Sequence, residues 1–155
     1  MAKYALTYSA FATTTALKTS GGIFPNAAGE NVEVIESIMT GGGTVAAADI
    51  QHQHSLSFCT FAATGVSVST TPLSFHTSAV AGLATTGVKY TTEPTAYAAI
   101  PHVLFGFNQR GGMRWAVPQG EGMRAQNDTT NKGVGQLVIS SAVGTVDGSL
   151  HYWES

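Results

Sequence analysis

Charge is what this sequence has least of. Only 10% of its 155 residues are Asp, Glu, Lys or Arg, against about 25% in an ordinary soluble domain. The surface must therefore be built from Thr, Ser, Gly, Gln and Ala, which repel other proteins weakly. Seven cations against nine acids leave a net charge of −2, which argues against a nucleic-acid partner held by its phosphates. Four of the seven cations, Arg110, Arg114, Arg124 and Lys132, fall in the last third with Glu121 and Asp128 among them. That mixture reads as ion pairing or interface chemistry. A single cysteine, Cys59, excludes any internal disulfide. No run approaches the roughly 20 apolar residues a bilayer requires, and Met1 to Tyr8 lacks the form of a signal peptide. The expectation is a soluble protein, made in a cytoplasm, with no membrane partner.

What is present is alternation. In Lys3 to Phe11, Tyr4, Leu6 and Tyr8 face away from Ala5, Thr7 and Ser9, which is a strand pattern. Gly21-Gly22 and Pro25-Asn26 then read as a loop. Asn31 to Thr40 is β-branched enough to read as a strand, ended by Gly41-Gly42-Gly43. Ile50 to Ala62 alternates cleanly, with Ile50, His52, His54, Leu56 and Phe58 on one face. Val66 to Thr70, Leu73 to His76 and Val88 to Thr92 read as short strands, and Thr77 to Thr86 as a surface loop. Val134 to Ser141 and Val146 to Trp153 close the chain as strands. The longest apolar run, Ala98 to Phe107, leads through Asn108-Gln-Arg-Gly-Gly into Met113, Trp115 and Val117. It reads as a hairpin whose first strand is apolar on both faces. About eight strands with Gly- or Pro-bearing turns and no amphipathic helix predict an all-β, single-domain antiparallel β-sandwich of jelly-roll type. Residues 1–20 form an N-terminal strand or arm and 21–155 the sandwich. Leu56, Phe58, Met113, Trp115, Val117, Leu137, Ile139 and Leu150 are the expected core.

Catalysis has little to stand on. His52 and His54, two apart on a strand, are the sharpest metal signal, yet His76, His102 and His151 have no acidic residue beside them in sequence. The alternative is that the pair continues the Leu56 and Phe58 face toward an open end or an interface. Cys59 sits where a small buried hydrophobe belongs. No Gly-x-Ser-x-Gly occurs, no acid pair suggests a dyad, and no Lys-Ser/Thr follows the three glycines. Asn127-Asp128-Thr129 matches a glycosylation sequon, relevant only in a secretory pathway. Arg110, Arg114 and Trp115 could receive a carboxylate or sugar, or else line a rim and fill the core. No enzyme, metal or cofactor is expected.

The segment Phe107-Asn-Gln-Arg-Gly-Gly-Met-Arg-Trp-Ala-Val-Pro-Gln-Gly-Glu121 resembles a signature of small tailed-phage virion proteins. Their Asn-Gln-Arg turn runs into an Arg-Trp strand, a Pro-Gly-rich loop and a strand start similar to Asn131-Lys-Gly-Val-Gly135. Gly144 to Glu154 resembles the family's last strand, and Glu93-Pro94-Thr95 and Glu30 to Thr40 also match. The likeness spans most of residues 30–154 and is specific over 107–135. Gly111-Gly112-Met113 departs from it, as does the strand carrying His52 and His54. The resemblance implies a capsid decoration (cement) protein on the outer surface of a virion, with the major capsid protein and its own homotrimer as partners. Ile100, Val103, Phe105, Phe107, Arg110 and Arg114 are then the subunit-interface candidates. Lys3, Tyr4, Leu6 and Tyr8 are the capsid-contact candidates. A carbohydrate- or receptor-binding module using Tyr90, Tyr97, Trp115 and Trp153 is the alternative, and a His-based metal enzyme the third.

Overall fold

The structure, a computed structural model, describes residues 1–42, 49–59, 67–69, 71–76, 81–94, 96–127 and 132–155. Its strands are β1 (Ala2–Thr13), β2 (Lys18–Phe24), β3 (Asn31–Gly41), β4 (Gln51–Cys59), β5 (Val68–Ser69) and β6 (Leu73–Ser74). They continue with β7 (Thr85–Val88), β8 (Val103–Asn108), β9 (Gly112–Ala116), β10 (Met123–Gln126), β11 (Gly133–Ser140) and β12 (Gly144–Glu154). No helix among the described residues is long and apolar enough to cross a membrane.

Two antiparallel sheets face each other. The first runs β10-β3-β12-β1-β6, with β9 pairing the other half of β3; the second runs β5-β7-β2-β11-β4-β8. The long strands alternate between sheets along the chain except at β4 and β8, which pair within the second sheet. β1-β12-β3-β9 opposing β2-β11-β4-β8 is the jelly-roll order. β5, β6 and β7 come from the segment between β4 and β8 and extend both sheets at one side. The expectation of a β-sandwich holds.

The alternation read in β1, β3 and β4 places their apolar residues between the sheets. Leu6, Val32, Val34, Leu56, Leu150 and Tyr152 are all buried there. Each fully buried side chain of this size contributes about 1.5–3 kcal/mol of transfer free energy. Phe58, Met113 and Trp115 pack against this core while only partly covered, and Val117 is half-buried just past β9.

Several expectations change. The central stretch is not a hairpin, because β8 pairs β4 and β9 pairs β3. The Asn108 to Gly112 turn instead carries the chain from one sheet to the other. Gly21 and Gly22 lie within β2, hydrogen-bonded between β11 and β7. The N-terminal segment is no separate arm: β1 pairs with β12 from Ala2–Glu154 to Thr13–Gly144. On β11, Val134 and Val138 belong to the central cluster; Leu137 is buried as expected, at 2% exposure, but on the opposite face of the strand, and Ile139 beside it is only half-buried. Residues 60–66, 70, 77–80 and 128–131 lie outside the described residues, and with them parts of the expected strands and loops and most of the sequon.

A second apolar cluster sits on the outside of the β2-β11 sheet, made of Phe24, Cys59 and Tyr90 with Tyr97 against it. The glycines of β11 make room for it. A Cβ on Gly133 would stand 2.2 Å from the Phe24 ring, and one on Gly135 would stand 2.5 Å from Tyr97. The Gly-Val-Gly start of β11 is thus a flat platform for two aromatic rings.

Candidate functional site

His52 and His54 point into the sandwich and are 2% and 0% exposed. Around His54 the two sheets are joined by a buried polar chain. Tyr8 donates its hydroxyl hydrogen to Gln136 Oε1 at 2.8 Å. Gln136 Nε2 donates to Ser37 Oγ at 2.8 Å and to the Ile38 carbonyl at 3.1 Å. With the Leu137 carbonyl 3.3 Å from His54 Nδ1, that nitrogen carries the proton, so Nε2 accepts from Ser37 Oγ at 2.9 Å. Burial pushes the His54 pKa down to about 4, opposed by the Leu137 carbonyl, and burial also pushes Tyr8 up.

His52 bonds Ser140 through Nδ1 at 2.6 Å and lies beside the Phe107 ring, while its Nε2 has no partner. Burial lowers its pKa as well. Both nitrogens of His54 are committed, so the pair does not form a two-histidine chelate. Among the described residues no group of three or more His, Cys, Asp and Glu could hold a metal ion. The sequence pattern placed these histidines on the core-facing side of β4. It gave no sign of Gln136 and Ser37, because a Gln or Ser on a strand ordinarily reads as solvent-facing.

The capsid-contact candidates do not share a surface. Tyr4, Leu6 and Tyr8 are buried in the core, because β1 lies between β12 and β6 with these side chains turned inward. Of that set only Lys3 faces outward, its ammonium 4.6 Å from the Phe75 ring centroid.

The arginines are paired within the chain. Arg110 reaches Asp49 at 3.4 Å. Arg114 bonds Glu36, which also holds His151 at 2.8 Å. Burial alone would raise the Glu36 carboxyl, but these two neighbours outweigh it and hold it below the usual range. Glu33 accepts the Gly120 and Gly122 amides and faces Arg124 at 3.5 Å, fixing the Pro118 to Gly122 connection.

The interface candidates on β8 divide. Val103 and Phe107 are buried, because they face the core opposite Leu56 and His52. Phe105 and Leu104 are 42% and 52% exposed, and Ile100, just before the strand, is 80% exposed. Among the described residues β8 pairs only β4, and no strand lies beyond its other edge. Leu104 borders a groove of about 250 Å³ on the outer face, lined by Leu17, Ser55, Tyr97, Ala98 and Pro101. Exposed apolar side chains thus lie on both faces of this edge strand, Leu104 on one and Phe105 on the other, with Ile100 just before it, and such an edge invites a partner.

The aromatic candidates also separate. Tyr90 is buried in the outer cluster, where its pKa is pushed up to about 12, chiefly by burial. Trp115 rests on the core. Trp153 is half-buried and lines a 260 Å³ groove with Arg124, Glu33 and Gln126. The chain matches no protein-family model and no curated protein sequence.

Proposed function

We propose that this chain is a phage capsid decoration protein that binds the outer shell beside the major capsid protein and bridges capsomers as a homotrimer. The observation that carries the reading is the exposed apolar set Ile100, Leu104 and Phe105 on and before β8, whose outer edge has no strand beside it among the described residues. It lies directly before the segment 107–135 whose sequence resembles small virion proteins. The remaining surface is low in charge, which suits a protein held against neighbours. The mechanism is area burial: three copies of one footprint add modest contacts by avidity. Cryo-electron microscopy of the parent virion tests it. Density on the outer capsid is expected. Density confined to the tail, or none in the particle, overturns the reading.

A second reading, a carbohydrate-binding module, is favoured by one feature, the Trp153 groove with Arg124, Glu33 and Gln126. An indole flanked by bidentate polar groups suits a sugar ring. A glycan array that responds to the wild-type chain and not to Trp153→Ala would favour it over decoration.

A further inference from the structure

His52 is fastened through one nitrogen only. Its Nδ1 shares a 2.6 Å hydrogen bond with Ser140 Oγ, while Nε2 is buried and has no partner. His54, two residues on, has both nitrogens bonded, to Leu137 and to Ser37. Thr13 Oγ1 lies close by: it and His52 Cε1 each stand 3.5 Å from where a Cβ on Gly144 would be. It too is buried without a partner, so the two groups do not bond each other.

Four strands close over this imidazole. β11 supplies Ser140, and β8 supplies Phe107, whose ring centroid is 5.1 Å away at a tilt of 32°. Thr13 and Gly144 belong to β1 and β12. Three of the four are interior strands: β11 lies between β2 and β4, β12 between β3 and β1, and β1 between β12 and β6. Among the described residues β8 alone is paired on one edge only, and it is six residues long. Lifting β8 therefore uncovers His52 with the fewest broken pairings, the usual route of a local opening.

No charge inside the sandwich balances an imidazolium here. β8 and β11 contain no titratable residue, and β4 contains only His54 and Cys59 besides His52. On β1, Tyr8 donates to Gln136 and Lys3 lies over Phe75 on the outer face. Tyr4, Tyr152 and Glu154 sit at the far end, since Thr13 pairs Gly144 where Ala2 pairs Glu154. Asp147 accepts from the Ala10 amide, Glu36 holds His151 and Arg114, and Asp49 faces Arg110. Burial is the one cause that lowers the His52 pKa. Once protonated, Nε2 carries a hydrogen with no acceptor, which is costly in a dry interior. The Phe107 face attracts a cation but gives that hydrogen no lone pair.

We propose that His52 makes β8 an acid-released edge: protonation at Nε2 is accommodated by β8 lifting from β4, which brings water to the imidazole while the rest of the sandwich stays closed. The proposal concerns the isolated chain and does not rest on the decoration reading. In the lifted state His52 titrates near the ordinary 6.5 and binds a proton that the closed state resists, so opening is favoured as pH falls below that value. Between pH 7 and pH 5 the opening equilibrium rises by up to about 25-fold.

Hydrogen exchange of the full chain, read by mass spectrometry on peptides covering 103–108 and the middles of β1 and β12, tests it at both pH values with and without sub-denaturing urea. After correction for the intrinsic rate, β8 should lose about tenfold or more of its protection at pH 5. That exchange should be insensitive to urea, as a local opening is, whereas β1 and β12 should stay better protected and follow urea. His52→Asn, which keeps a polar atom for Ser140, and His52→Phe, which keeps the ring, should each hold the pH effect at β8 below about threefold. His54→Gln should leave it in place. The wild-type comparison decides even where a variant fails to fold. Equal protection of β8 at both pH values overturns the proposal, as does β8 exchange that tracks β1 and β12 in urea. A loss that persists in both His52 variants, or disappears in His54→Gln, overturns it too.

Discussion

Gln136 is the one polar side chain of β11 that ties the two sheets together through its own hydrogen bonds. Its side chain belongs to one sheet and bonds Tyr8, Ser37 and Ile38 of the other. Gln136→Leu would keep the volume but leave the Tyr8 hydroxyl, the Ser37 hydroxyl and the Ile38 carbonyl short of a bond. Each stranded group costs about 1–3 kcal/mol, so a loss of about 3 kcal/mol in urea denaturation is expected; a loss below about 1 kcal/mol would mean the network contributes little. His54 adds a pH dependence. Its folded pKa of about 4 lies below the ordinary 6.5, so between those values the unfolded chain binds more protons. Stability is therefore complete above about pH 6.5 and falls as pH drops through 4, His52 acting in the same direction. The urea midpoint of the wild type should decline between pH 6.5 and 5, above the usual carboxylate range. His54→Gln should reduce that decline, and an unaltered slope would contradict the assignment.

The glycines of β11 act at the scale of the element. Gly133→Ala and Gly135→Ala would drive a methyl into the Phe24 and Tyr97 rings, an overpacking cost of about 1–3 kcal/mol. Gly111→Ala, whose Cβ would meet nothing closer than 3.6 Å, should be nearly neutral; equal melting temperatures for all three would refute the platform. Such strands show what a sequence reveals. β4 was legible because its two faces differ, and so were β1, β3 and β12, whose pattern is governed by a covered inner face. β11 was legible as a strand but its faces were not, because its outer face carries Leu137 and Ile139 and its inner face carries Gln136, so alternation points the wrong way. β2 was misread for a related reason: Gly21 and Gly22 resemble a turn, whereas Gly22 is small to pass beneath Phe24 and Tyr90. The β8-β9 turn is locally sound as a turn. Which sheet each strand joins depends on β4 and β3, more than 45 residues away in sequence, and local signals do not carry that choice. The exposed part of the candidate interface, Ile100 and Phe105, was visible as excess apolarity, but Phe105 shares the face of buried Val103 and Phe107 opposite β4, so alternation alone does not show that it is exposed.

For the whole molecule the jelly roll decides which edges stay open. β3 is covered at its edge by β9 and β10, while β8 ends its sheet with no strand beyond it among the described residues. The apolar side chains on and before that edge strand are too large to sit in water without consequence, and the sparse charge offers little repulsion to stop two such edges meeting. If a homotrimer covers them, light scattering of the isolated chain should give three times its 16.0 kDa mass. Leu104 is the residue to change, because it faces outward and half of it is already exposed. Leu104→Lys should leave the far-ultraviolet spectrum and the core intact while a buried charge at the contact drives the assembly to monomer. Ile100→Lys should act likewise, and Val143→Lys, equally exposed at the β11-β12 turn, should not. A wild-type chain that scatters as a monomer at micromolar concentration would remove the trimer and leave the sandwich standing. A trimer that survives both β8-side lysines would place its contact on another face.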